Sequence, residues 1–417
     1  MAKNKGRRGR YEKSEKKASD RKYTSYEDVP LEDYREPEPE PKNITGRFLK
    51  MFLILFLSVV AVLAVMNIEK LTPDNIAHWF QYDLLGKTDG DGYPITFNGS
   101  SLSTRNFSLL NGVPAYCSDT TIAVLNQNAG KYQENQHSYA SPSMKLNGGY
   151  GIVYNIDATG YTIFKRDSIV YTGSAEEKIY AGDIATNGVY ALLTRSDDYL
   201  SKLTVYRTDN LEKYEYSFAD YYVNTVSINN EGSRAILSGV SARNGGMISV
   251  IYILDFTQNT YMQKYEADET FIYDVCYLNN GSAVAVGDKM AFFINVEDGR
   301  KTDVPYSART LTTYTMKRDY GLMLSLSLNP DGRECSILTV NEKGEAAERI
   351  NTGEKVLSMD IIGDRPAVLE HGRIVVYNAD GTEAVSKEAD SDSRKLCYTD
   401  SKTLYVLGKS RISKILT

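Results

Sequence analysis

The sequence predicts an all-β fold, a β-propeller of eight four-stranded blades, preceded by one transmembrane helix and a disordered N-terminal tail. Three observations predict it. After residue 93 a turn recurs at steps of 36 to 49 residues: Asn111-Gly112, Asn147-Gly148, Asn187-Gly188, Asn230-Glu231-Gly232, Asn280-Gly281, Tyr320-Gly321, Gly363-Asp364 and Asp400-Ser401. Between the turns lie short alternating strands, and four antiparallel strands per roughly 40 residues is the blade of a propeller. Ahead of them, residues 51–68 form an uncharged run between Lys50 and Glu69 that matches the ~30 Å apolar thickness of a bilayer.

Taken in order, residues 1–46 are expected to be a disordered cytoplasmic tail. Ten Lys or Arg fall in the first 22 residues against three acids, and residues 23–41 switch to seven acids and one Arg, with the Glu-Pro run 36–41. Such a segment has too little apolar surface to order a chain. The basic block either contacts an anionic inner leaflet or only enforces topology. The Lys/Arg bias before residue 51, with Arg47 and Lys50 at the edge, places residues 47–68 as a signal-anchor span and the C-terminal part outside. A cleaved signal is the weaker alternative, because its apolar run is shorter and follows a short basic segment.

Residues 69–92 read as a juxtamembrane helix and turn. Thr72 can cap, Pro73 suits the first helical position, Gly86 suits the stop, and Ile76, Phe80 and Leu84 make a stripe that also carries Trp79, the only Trp. Asp89-Gly90-Asp91-Gly92 reads as a turn rather than a calcium loop, since the downstream glutamate of such a loop is missing.

Residues 93–417 are the expected outer propeller. The third unit shows the plan: strands at 178–185, 189–194, 202–207 and 213–218. Asn-Gly favours a tight hairpin because both turn positions take positive φ. The last hairpin of several units ends in an acidic or Asn turn with Gly, at Val296 to Arg300, Val340 to Gly344 and Tyr377 to Gly381. Eight turns mean eight blades, with seven as the alternative if the first unit is irregular. The last unit stops after three strands, and the spare strand at residues 93–98 is its natural fourth, closing the ring with no open edge.

The strand-turn signature ending in Asp-Gly or Lys-Gly resembles WD40-like and quinoprotein-like propellers. The whole layout, with Gly90-Asp91-Gly92-Tyr93-Pro94 leading into the ring, is similar to a group of uncharacterised single-pass membrane-anchored propeller proteins of Gram-positive bacteria. That resemblance implies the same layout and no activity. The ring lacks the repeated Trp of quinoprotein blades, the Trp-Asp dipeptide of WD40 blades and the aspartate-box turn of sialidases, so redox and glycosidase roles lose support.

The 48 basic and 54 acidic residues divide into 14 and 10 up to residue 50 and 34 and 44 beyond, so the outer part is net −10 and does not attract nucleic acid. Cys117, Cys276, Cys335 and Cys397 form no CxxC pair and are expected as buried free thiols, with Cys117 and Cys397 the pair to test for a disulfide. His78, His137 and His371 are too scattered for a metal site, no cofactor motif is present, and neither Cys nor Ser has a His partner in the sequence. Adjacent acids such as Asp197-Asp198 and Glu176-Glu177 read as solvated loops, so no catalytic residue is assigned.

Binding needs only a presented surface. The second-to-third strand connections, at 157–160, 195–199, 241–246, 329–333 and 370–372, carry Arg195, Tyr199, Arg243, Arg333 and His371, residue types that suit contact with an envelope protein or glycan. The expected function is therefore a tethered, non-catalytic scaffold or sensor of the cell envelope. The alternative is a surface enzyme acting on carbohydrate or peptide wall material.

Overall fold

The computed structural model describes residues 51–58 and 90–417. The chain divides into two units, Met1–Ala77 and His78–Thr417. In the first, residues 51–58 are helical and exposed. The expected tail, the rest of the expected span and the juxtamembrane helix lie outside the described residues. Among those described, no helix is long and apolar enough to cross a membrane.

In the second unit, eight four-stranded antiparallel sheets follow one another. Blades 1 to 7 occupy residues 107–136, 142–174, 179–218, 222–268, 272–305, 310–352 and 358–388. Blade 8 takes three strands from residues 395–416 and its fourth from Ile95–Thr96, which pairs antiparallel with the strand Arg411–Leu416 (Ile95 with Ile412, Thr96 with Arg411). The ring is thus eight-bladed and closed by the spare strand, as its sequence implies.

All eight turns fall between the first and second strands of their blades, with three shifts of one residue; in blade 6 Gly321 pairs with Lys317, leaving 318–320 as the turn. Asn147 stays in the strand and pairs with Tyr150, leaving Gly148-Gly149 as the turn, and Asp400 pairs with Thr403, leaving Ser401-Lys402. Positive φ at both turn positions is confined to Asn111 and Gly112, at 48° and 77°. In blades 3 to 5 the loop is longer, and Gly188, Gly232 and Gly281 close it by donating their N–H to the carbonyls of Ala185, Asn229 and Leu278. Glycine is needed there as the left-handed last residue of a type I turn.

Burial follows from blade stacking. The second strands read as unbroken apolar runs because a neighbouring blade covers each face, so every residue of Tyr190–Thr194 and Ser282–Gly287 is buried. The outermost strands alternate, as in Ile169–Ser174. Eight apolar clusters form, and each joins one blade to the next; the last, containing Phe97, Leu102, Tyr116 and Tyr405, joins blades 8 and 1. Without Trp, these interfaces are filled by Tyr and Phe, with Tyr116, Tyr190, Tyr277, Tyr306 and Tyr405 fully buried.

The innermost strands would leave an open row of N–H groups toward the next blade, and side chains answer it. Asn106 Oδ1 accepts from the Met144 amide (3.0 Å), Asp183 from Ile228 (2.8 Å), Ser227 Oγ from Tyr277 (3.1 Å) and Asp360 from Tyr398 (2.7 Å).

The ring has two faces. The turn face collects the first-to-second and third-to-fourth connections; the crossover face collects the second-to-third connections and the links between blades. The chain enters on the turn face, where the Gly92 N–H donates to the Asn128 carbonyl at 3.0 Å. Gly90 is needed at this contact, because a Cβ there would lie 2.1 Å from the Asn128 oxygen.

Candidate functional site

The five loop residues share the crossover face but not a site. Arg195 and Tyr199 are in one loop of blade 3, Arg243 is at the hairpin tip of blade 4, Arg333 is in blade 6 and His371 at the tip in blade 7. Arg195 and Arg333 are exposed, 3.5 and 3.8 Å from Asp197 and Asp331. Arg243 is committed to its own blade: it donates to Glu266 Oε2 at 2.7 Å and Asp268 Oδ1 at 2.9 Å. Among the described residues no hydrogen bond or ion pair joins residues from different loops of this set.

Hydrogen bonds from Tyr221 (2.7 Å) and Arg243 hold the Glu266 carboxyl well down, at about 2. A depressed carboxylate stabilises the fold above the ordinary carboxylate range and loses that contribution as pH falls through its folded value. The melting temperature of Glu266→Gln should therefore lie below wild type at pH 7, with the gap closing as pH approaches 2. A gap independent of pH would show that the charge is not what the clamp uses.

The four cysteines are free and buried, and Cys117 and Cys397 are not joined. One pairing escapes the sequence: Cys117 Sγ lies 3.3 Å from His137 Nε2. It is not an activated thiol. His137 Nδ1 accepts the Tyr139 N–H at 3.1 Å, so the proton sits on Nε2, which faces the Ser118 carbonyl at 3.1 Å, and no ring lone pair is left for the thiol. Burial pushes the thiol up to about 12. Among the described residues no three His, Cys, Asp or Glu side chains are grouped to hold a metal.

The richest polar assembly is at the ring axis. Arg318, in the turn at 318–320 of blade 6, reaches to blade 3: Nη2 donates to Asp183 Oδ2 at 2.6 Å and Ser227 Oγ at 3.2 Å, and Nη1 to the carbonyls of Ile228 at 2.6 Å and Tyr277 at 3.3 Å. Beside it on the turn face, Asn147 donates to Asn230 (3.2 Å) and Asn230 to Asn279 (3.0 Å), linking blades 2, 4 and 5. A polar hollow of about 250 Å³ lies on this face, lined by Asn229, Glu231, Arg234 and Asn280 among others. That is below the usual size of a small-molecule site.

Two residues farther from the turn face, a second ion pair spans blades 2 and 5: Lys145 Nζ is 3.7 Å from Asp274 Oδ1. Protein surrounds Lys145, yet 37 % of its side chain is accessible, so it faces an internal channel. Asp274 beside it raises its pKa and keeps it charged.

Large apolar side chains are exposed at both ends of the ring, and those on the crossover face fall on successive blades. On the crossover face Ile156, Tyr199, Tyr222, Met247, Tyr273 and Leu328 are exposed, spread over blades 2 to 6; at the turn-face end of the ring Val170, Leu211, Tyr261 and Leu416 are exposed.

Fold and site define a class: a closed eight-bladed propeller with an ion-paired axis. The chain belongs to the family of unknown function DUF5711, whose sequence model matches residues 93–416. No curated protein matches it. Solved structures similar to it include BamB from Moraxella catarrhalis (10 % identity, TM-score 0.53, covering 78 % of this chain and 99 % of that one). The C-terminal WD40 domain of Sif2 is also similar (11 %, 0.55, 79 % and 99 %), as is the computationally designed Ika8 protein (9 %, 0.53, 77 % and 98 %). At these identities the likeness is one of fold.

Proposed function

We propose that the ring is the binding part of a membrane-tethered envelope protein. Residues 47–68 hold it as a single span with the tail inside the cell, and the crossover face takes a protein partner. The observation that carries this reading is the arc of exposed Ile156, Tyr199, Tyr222, Met247, Tyr273 and Leu328, which runs over five successive blades on one face. Large exposed apolar groups on a folded surface mark interaction sites, and aliphatic Leu, Ile and Met among them favour a protein over a glycan.

Replacing Tyr199, Met247 and Leu328 together by Ser should cut capture of the envelope partner on the order of tenfold, the equivalent of ~1.4 kcal/mol, while the ring stays folded. The turn-face pair Leu211→Ser and Tyr261→Ser should leave capture unchanged. Equal capture by both would remove the crossover face as the site. Alanine at Arg195, Tyr199, Arg243 and Arg333 tests the basic loop tips the same way, read on the folded variant.

The tether is checked separately. A cysteine at Asp198 should react with a membrane-impermeant maleimide in intact cells, and one at Ser14 should not. The reverse pattern would invert the topology.

A further inference from the structure

Arg318 and Lys145 both cross the axis, but only one is satisfied. The Arg318 guanidinium has four partners within hydrogen-bond distance. The Lys145 ammonium makes no hydrogen bond among the described residues; Asp274 stands beyond reach at 3.7 Å, and its Oδ1 is already taken by Thr225 Oγ1 and the Val275 N–H. A ring-closing role accounts for Arg318. It does not account for three ammonium donors left facing a channel.

On the turn-face side of Lys145, Arg318 and the asparagine link bridge blades 2 to 6 across the axis, which leaves the crossover face as the side of approach. Tyr314 and Arg105, the latter on the link into blade 1 at the crossover end, also make no side-chain hydrogen bond among the described residues, and Lys145 and Arg105 both bear electrostatically on the Tyr314 hydroxyl. Lys145 and Arg105 against Asp274 leave one positive charge in excess. At the mouth, four successive blades break register at one place in the innermost strand, opposite Tyr180, Asn224, Tyr273 and Thr312. Bulges leave backbone groups unpaired and re-aim side chains, and the exposed Tyr222 and Tyr273 flank this rim.

We infer that the axial channel is a receptor for the free carboxylate end of an extended peptide, which enters from the crossover face past Arg105 and meets Lys145 at its floor. Unpaired backbone groups at the rim suit a peptide main chain, and a cationic floor suits a terminal carboxylate. The inference goes beyond the surface reading and stands apart from it, because Lys145 lies inside the ring and Tyr199, Met247 and Leu328 lie outside.

The test is NMR of the full-length protein carrying ¹³Cε-labelled lysine, the Lys145 signal being the one that Lys145→Met removes. Acetyl-trialanine with a free carboxylate should shift that signal at millimolar concentration. Its C-terminal amide, and Lys145→Met titrated with the free acid and read on tyrosine ring signals, should bind on the order of tenfold more weakly, the loss expected for a charge-assisted hydrogen bond. Lys145→Arg should retain binding and guards against a variant that fails to fold. Equal binding of acid and amide, a Lys145 signal unmoved by either, or a shift caused by glucuronate but not the peptide would each overturn the proposal. Wild-type partner capture by Lys145→Met leaves the surface reading standing whatever the peptide does.

Discussion

Arg318→Met is expected to lower the stability of the ring by about 3–5 kcal/mol, the loss typical of breaking a buried charge pair from one side. The substitution strips Asp183, which is almost fully buried, of its counter-charge, and leaves the carbonyls of Ile228 and Tyr277 without a donor they now have. Because the guanidinium touches blades 3, 4 and 5 from blade 6, the damage falls on the geometry of half the ring. Adding Asp183→Asn should restore much of the loss: the amide oxygen can still accept the Ile228 N–H while the orphaned charge is gone. Denaturant unfolding of the three proteins checks this. A drop below ~1 kcal/mol for Arg318→Met would mean water solvates the axis well enough to replace it.

Deleting residues 93–98 should cost at least as much. Ile95 and Thr96 supply the fourth strand of blade 8, and Phe97, 4 % exposed, is packed between blades 8 and 1 near Tyr116. Truncating a buried Phe alone costs about 3–5 kcal/mol, and the deletion also bares the edge of Arg411–Leu416. Phe97→Ala should lose the first part only, so its midpoint should fall between those of wild type and the deletion. A deletion with an unchanged thermal midpoint would contradict closure by this strand.

The fold was legible because its signals are local. Asn187-Gly188 and its counterparts announce a hairpin wherever they stand, and counting them yields the blades. The strands of the third unit are placed to within a residue or two, the strand read at 178–185 being Ile179–Ile184. Even so, in blades 3 to 5 glycine serves a different purpose from the expected one, as the closing left-handed residue of a longer loop, which dipeptide identity does not distinguish.

The axis was not legible. Arg318 and Asp183 are 135 residues apart, and Lys145 meets Asp274 three blades away. Such pairings depend on how many blades close the ring and on the rotation of each, so no spacing rule exposes them. The loop arginines were legible as a shared face, but the commitment of Arg243 to Glu266 and Asp268 depends on the register of the two strands beyond the tip, and Cys117 with His137 depends on which ring nitrogen a backbone amide occupies. In each case the residue was visible and its partner was not.

The most direct test of the reading as a one-faced binding module is site-specific photo-crosslinking in intact cells. A photoreactive side chain would replace Leu328 or Tyr199 on the crossover face and, separately, Leu211 or Tyr261 on the turn face. The account predicts the same discrete crosslinked partner from Leu328 and Tyr199 and none from Leu211 and Tyr261. Crosslinks confined to the turn-face positions, or absent from all four, would contradict it.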